Sequence, residues 1–457
     1  MAADRRQTQV ERFAEDTDGT IIPFTMVIIL LLFAFVGMGV DLMRHETIRA
    51  EMQNALDRGL LAAADLDQSL EAELTVKEYF RSAQWVGDEV VPTVVPGQND
   101  LRTRTISGSA TYNMDTIFMR LIGYPELPIN VASTAQERRR NMEISLVLDI
   151  SGTMRWCQNN SSNCPDGNRI ERLIPAAQDF IRTLLPASSR RNTSINIIPY
   201  AGQVNPGPAL FNALGGQRTY GHADSSCFEF TANDFSGTGL PAAGVYQQVP
   251  HFHNWNIEES WMEWGWCPSN ATDITLMSNN ITELNDAIEA LRTNLHDGTG
   301  TNNAMKWGLA LLDPTANGTL RSMVSADFAD RPAAYGDQET LKFIILMTDG
   351  QITEQVRPSD PFAPINAVEE LGRQGGARST TVSRATAENQ FDAMCDAARA
   401  NNVVVFTIAY LAPSGAQTQM RDCAYDPDTH FYNIDDLDVS YAFRDIATTI
   451  NKIKLIR

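Results

Sequence analysis

Apolar and polar positions alternate along this chain in three distinct rhythms, and the first of them is unbroken. Residues 21–40 read IIPFTMVIILLLFAFVGMGV, twenty positions without a charge. A helix of that length spans ~30 Å at ~1.5 Å per residue, the hydrocarbon thickness of a bilayer. Pro23 falls at the start, where a missing backbone N–H does least harm. Asp41 and Arg44 end the run abruptly, and neither a short core nor a small-residue cutting site marks a cleaved leader. The pattern predicts an uncleaved membrane helix.

A second rhythm follows. Ile48, Met52, Ala55, Gly59, Ala62 and Leu66 recur at helical steps, so 41–67 reads as a helical extension of the anchor. The Ala- and Gly-rich stripe suits either a partner helix or packing on its own domain. Residues 68–141 form a small mixed α+β connecting module. LRTRTISGSATYNMD and LPINVASTAQE have the β-branched, alternating character of strands.

From Met142 the rhythm changes again. MEISLVLD, SINIIPY, LKFIILMT, VVVFTIAY and HFYNI are short apolar runs. Between and after them lie helical patterns at 168–185, ITELNDAIEALRTNL, TNNAMKWGLALL, ATAENQFDAMCDAARANN and DLDVSYAFRDIATTINKI. Alternating strands and helices predict an α/β domain over 142–457 with a doubly wound, largely parallel sheet, interrupted by an insertion at about 201–280. Ligands of such sheets bind outside the carboxyl ends of the strands.

Charge and cysteine usage narrow the setting. The chain holds 36 Lys+Arg against 56 Asp+Glu, a net charge of −20, which repels nucleic acid and tolerates cations. Six cysteines (Cys157, Cys164, Cys227, Cys267, Cys395 and Cys423) fall as three successive local pairs without a zinc-type CxxC. Such a set suggests disulfides and an oxidising compartment. Arginines do not orient the anchor: Arg5, Arg6 and Arg12 precede it, and Arg44, Arg49 and Arg58 follow it. The disulfide argument breaks the tie. It places residues 1–20 as a cytoplasmic tail and the bulk of the chain outside the cytoplasm.

Candidate chemistry gathers at three predicted strand ends and loops. Asp149, Ser151 and Thr153 follow the first α/β strand, Thr301 opens a helix after GTG, and Asp349 follows LKFIILMT. Two carboxylates and three hydroxyls, with no imidazole or thiolate, suit a hard ion such as Mg²⁺ or Mn²⁺ and leave a position for an outside ligand. An acidic side chain from a protein partner fits that position. A haloacid-dehalogenase-like phosphatase also places an Asp after its first strand. Its chemistry needs a second carboxylate two residues on, where this chain has Ser151. No P-loop, GxGxxG or Ser-His-Asp order appears, so a non-enzymatic role is expected.

DISGT, GTGTN and LMTDG, in this order, resemble the metal-ion-dependent adhesion site of von Willebrand factor A (vWA) domains. The resemblance implies a Rossmann-like vWA fold for 142–457, with Asp149, Ser151, Thr153, Thr301 and Asp349 as metal ligands. Thr153 stands where Ser is commoner and keeps the hydroxyl. Asp18-Gly19, Gly39-Val40-Asp41 and QNALDRGLLAAA are similar to Flp (Tad) pilus assembly proteins of the TadE/TadG type. So are ITLMSNNITELNDAIEALRTNLHDGTGTNNAMKWGLALLDP and RDCAYDPDTHFYNIDDLDVSYAFRDI. That resemblance implies a single-pass bacterial inner-membrane protein, periplasmic beyond its anchor, whose partners are pilus or envelope assembly components. Phe24 departs from the processed pilin-like members, which carry a glutamate after the cut, so prepilin processing is not implied.

Two readings remain open beside metal-dependent adhesion. One is a structural envelope scaffold whose vWA domain holds no metal. The other concerns Trp255, Trp261, Trp264 and Trp266, which crowd beside His251 and His253. They form the core of the insertion, an aromatic recognition patch, or with HFH a transition-metal site.

Overall fold

The computed structural model describes residues 21–456 apart from 67, 86, 100–102, 162, 188–189, 245 and 256–264. The expected tail at 1–20, Asp18-Gly19, the first two residues of LRTRT, and Trp261 and Trp264 lie outside the described residues. Two compact units divide the chain between Arg138 and Arg139.

In the first unit one helix, α1 (Ile21–Ala64), runs without a break through both the expected span and its extension. Its first half is long and apolar enough to cross a membrane. Side chains such as Ile22, Leu30, Phe33 and Phe35 stand more than half exposed there, a continuous apolar surface that water does not tolerate. The second half buries Met52, Leu56, Leu60 and Ala63 against Ile106, Ala110 and Val131 of an antiparallel sheet. Thus the small-residue stripe packs on its own unit. Gly59 lets helix α2 (Ala72–Arg81) come close, since a Cβ there would sit 3.1 Å from the Val76 backbone.

The sheet has β1 (Thr93–Asn99), β2 (Thr103–Asp115) and β3 (Glu126–Arg139). β2 and β3 pair over their length, with Ala110 opposite Val131, and β1 pairs antiparallel to β2. α2 and β1 were not expected from the sequence. Pro96 and Gly97 weaken the strand signal of β1, as they do in edge strands.

Asp41, at the end of the apolar run, is fully buried. Its carboxylate accepts the backbone N–H groups of Ile117 (2.9 Å), Phe118 (2.8 Å) and Met119 (2.8 Å). These N–H groups enter a short 3₁₀ turn, Met119–Ile122, and one carboxylate satisfies all three donors.

The second unit carries a six-stranded sheet in the order β11-β10-β7-β4-β5-β6. The strands are β4 (Asn141–Asp149), β5 (Thr193–Tyr200), β6 (Thr275–Ser278), β7 (Thr340–Thr348), β10 (Val404–Tyr410) and β11 (Phe431–Ile434). A separate antiparallel pair, β8 (Gln355–Pro358) and β9 (Arg378–Val382), follows β7. Every neighbouring pair in the large sheet is parallel except β5 with β6 at one edge.

Helices cover both faces, as a parallel sheet requires. On one side α3 (Arg169–Leu184), α4 (Ile281–Ala290) and α8 (Ser440–Lys454) pack on Ile144, Leu146 and Leu148, with Phe180 edge-on to Phe443. On the other, α5 (Thr301–Ala310), α6 (Arg384–Ala400) and α7 (Ser414–Cys423) pack on Val147 and Leu346. α3 begins with a capping box between Asn168 and Glu171. The expected disulfides are all present: Cys157–Cys164, Cys227–Cys267 and Cys395–Cys423, the last joining α6 to α7.

Candidate metal centre

β4 and β7 are parallel neighbours with Leu148 opposite Met347. Their carboxyl ends therefore fall side by side, and Asp149, the last residue of β4, and Asp349, the first residue after β7, reach the same rim. Asp149 Oδ1 accepts the Ser151 N–H at 2.7 Å, which folds the chain back over its own carboxylate. Asp149 Oδ2 accepts the Thr348 hydroxyl at 2.7 Å, linking the two strand ends.

The hydroxyls of Ser151 and Thr153 lie 2.9 Å apart. Both point to Asp349 Oδ1, Thr153 donating at 2.6 Å and Ser151 at 3.5 Å. Four of the five expected ligands thus share one cluster. Thr301 stands next to it. Its hydroxyl lies 3.4 Å from the Tyr200 hydroxyl, which donates to the Met347 carbonyl at 3.3 Å. Among the described residues, no direct hydrogen bond joins Thr301 to the other four.

The glycines of GTGT have a physical cause. Gly298 adopts φ +79°, which side chains avoid. A Cβ on Gly300 would sit 2.3 Å from the Gly202 carbonyl oxygen, so only glycine lets the Thr301 loop lie against β5's exit. Across the rim, the Thr353 N–H donates to the Thr299 carbonyl (2.9 Å) and the Thr299 N–H to the Thr353 hydroxyl (2.9 Å).

Burial dominates the electrostatics. Asp149 and Asp349 are both buried, and desolvation pushes both carboxyls above the usual carboxylate range. The Asp349 charge raises Asp149 further. Against this, Arg169 at the start of α3 donates to Asp349 Oδ2 at 2.6 Å and also pairs with the Asn160 carboxamide oxygen. Arg169, Thr348 and Tyr200 were not read from the sequence as parts of the site. A buried arginine after an N-cap asparagine carries no local signal, whereas Thr348 stands inside LMTDG.

Thr153 is exposed and opens the cluster to a cleft of about 340 Å³. Arg155, Arg378 and Arg384 line it with Trp255 and Trp266. Arg378 donates to the Asn254 side chain at 2.7 Å and lies 5.4 Å from the centre of the Trp255 ring. The donor set fits a hard divalent cation: all atoms are oxygens, two carry charge, and one side faces open space. Such an ion would compete with Arg169 for the Asp349 charge.

Residues 19–66 match the Tad family, described as Flp pilus-assembly TadE/G-like. No curated protein matches the chain. Among solved structures, similarity is found to the pilus adhesin SpaC from Lactobacillus rhamnosus GG, at 11% identity and a TM-score of 0.38 over 80% of this chain and 35% of that one. The PilB minor pilin from Streptococcus sanguinis is similar at 11% identity and a TM-score of 0.35, covering 80% of this chain and 79% of that one. Proximal thread matrix protein 1 from the mussel byssus is similar at 11% identity and a TM-score of 0.31, over 70% of this chain and 47% of that one. The chain spans about a third of the length of the SpaC structures it matches.

Proposed function

We propose that this protein is a membrane-anchored, non-enzymatic component of Flp/Tad pilus assembly or surface adhesion. In this reading its α/β unit is a vWA-type module that binds a protein partner through Mg²⁺ or Mn²⁺. Asp149, Ser151, Thr153 and Asp349 hold the ion with Thr301 close by, and the ion presents an open position to an acidic side chain. The single observation that carries the reading is the convergence of Ser151 and Thr153 on Asp349 beside Asp149, at the ends of neighbouring strands. Three arginines around the cleft, against the carboxylates of Asp297 and Glu354, give its lining a small positive excess that suits the same acidic partner. The family match at the anchor supports a pilus setting. The three disulfides support a periplasmic location beyond the anchor.

Photocrosslinking in cells tests the partner. A photoreactive residue replacing exposed Gln351, next to the rim, should capture an envelope or pilus protein in the wild-type background and lose it with Asp149→Ala. Equal capture in both backgrounds favours the metal-free scaffold.

A further inference from the structure

A second group of ligating side chains lies in the stapled insertion, apart from the oxygen cluster. His222, Asp224 and His251 each turn one donor atom toward the others, and these atoms all lie within 4.8 Å of one another. The His222 and His251 ring centres are 5.7 Å apart, and His222 Nδ1 lies 3.9 Å from Asp224 Oδ2. HFH suggested His251 with His253, and their ring centres do lie 5.5 Å apart; the donor atoms that converge with a carboxylate are those of His251 and of His222, 29 positions earlier.

The His222 ring is oriented as a ligand. Its Nε2 lies 2.8 Å from the Val249 carbonyl, an acceptor only, so Nε2 carries the proton and Nδ1 offers its lone pair. A backbone carbonyl behind the non-ligating nitrogen is the usual support of metal-bound histidine. Gln248 Nε2 approaches the same Nδ1 at 3.3 Å. It also donates to the carbonyls of Ser225 (2.6 Å) and His222 (3.2 Å), so it keeps partners when an ion takes the lone pair.

Gly265 approaches the His251 ring closely. A Cβ on Gly265, whose φ is +123°, would come within 3.2 Å of His251 Cε1. Two residues on, the Cys227–Cys267 disulfide fixes this strand of the insertion, and the Val249 N–H donates to the Cys227 carbonyl at 2.9 Å. Asp224 is exposed, and closure on an ion needs its carboxylate to shift by an ångström or so, because ligands at ~2.1 Å from zinc stand under ~4 Å apart.

We propose that His222, Asp224 and His251 form a second metal site, selective for a borderline transition-metal ion such as Zn²⁺ over Mg²⁺. Two imidazoles and one carboxylate match zinc chemistry, in contrast to the all-oxygen cluster at β4 and β7. Three protein ligands leave a fourth position for water or a donor from another molecule.

The test is Zn²⁺ titration of the full oxidised chain in detergent, with Mg²⁺ in excess to occupy the oxygen cluster. Wild type should take up one tight equivalent. His222→Gln and His251→Gln should each weaken it at least about 100-fold, since losing a ligand costs more than the ~10–100-fold of losing its support. Co²⁺ bound to the wild-type chain should show the intense visible bands of a four-coordinate site, a readout that needs no variant to fold. Asp149→Ala should leave Zn²⁺ binding unchanged, which separates this site from the proposed Mg²⁺ site. Absence of a tight equivalent in wild type, equal affinity in either histidine variant, or a six-coordinate Co²⁺ spectrum would overturn the proposal.

Discussion

Arg169 places Nη1 2.6 Å from Asp349 Oδ2, and both side chains are almost wholly buried, at 3% and 0% exposure. One guanidinium thus stands against two carboxylates. In the metal-free protein it supplies the positive charge that makes a buried Asp149–Asp349 pair tolerable. Removing one partner of a buried ion pair costs ~3–5 kcal/mol, because the other charge stays behind. Arg169→Leu should therefore lower the metal-free melting temperature by several degrees. Added Mg²⁺ should raise the variant's Tm by more than it raises the wild type's. Thermal scans with Mg²⁺ and with chelator measure both shifts, and equal Mg²⁺ shifts contradict this account.

Asp41 performs a comparable task in the anchor unit, where its carboxylate takes three consecutive N–H groups at 117–119. Asp41→Ala leaves these donors without their acceptor, at a cost of ~1–3 kcal/mol for a buried unsatisfied group. Amide exchange at Ile117, Phe118 and Met119 should accelerate by at least about tenfold, while β2 and β3 amides change less. Unchanged exchange at those three positions would show that the cap contributes nothing.

Asp273 supplies a pH prediction away from both proposed metal sites. Burial raises its carboxyl to about 6, and Gly207 packs so close that a Cβ there would lie 2.5 Å from Asp273 Oδ2. The folded state holds this proton more tightly than the unfolded chain, whose aspartates titrate near ~3.9. Its stabilising contribution is therefore present below about 4 and is lost as pH rises through about 6. Asp273→Asn should remove that loss. The difference in unfolding free energy between variant and wild type should grow from pH 4 to pH 6 in the variant's favour and level off above. A pH-independent difference sinks the assignment.

Much of the second unit was legible because its signals are local and strong. Runs such as MEISLVLD and LKFIILMT are buried on both faces of a parallel sheet, so their hydropathy alone marks them. The placement of Asp149 and Asp349 followed from the same runs, since parallel strands bring their carboxyl ends to one edge. What stayed hidden depends on tertiary context. β6 is a four-residue antiparallel edge strand with a bulge, too short for periodicity to detect. β8 and β9 form a small pair whose apolar residues are few.

Arg169 reads as an ordinary helix residue until the fold turns it inward. The His222–His251 pairing joins positions with no common spacing rule. The Ala- and Gly-rich stripe of α1 fitted two partners equally well from the sequence, and only the β2 and β3 side chains opposite it decide between them.

The central claim is that oxygens from separate strand ends act as one grip on a hard cation. Calorimetric titration of Mg²⁺ into the 457-residue chain in detergent, wild type beside Asp149→Ala, measures that grip most directly. The account predicts a saturable, single-site heat for wild type and none above dilution for the variant, with both proteins retaining the same near-ultraviolet dichroism. Identical heats from the two folded proteins, or no heat from either, would contradict it.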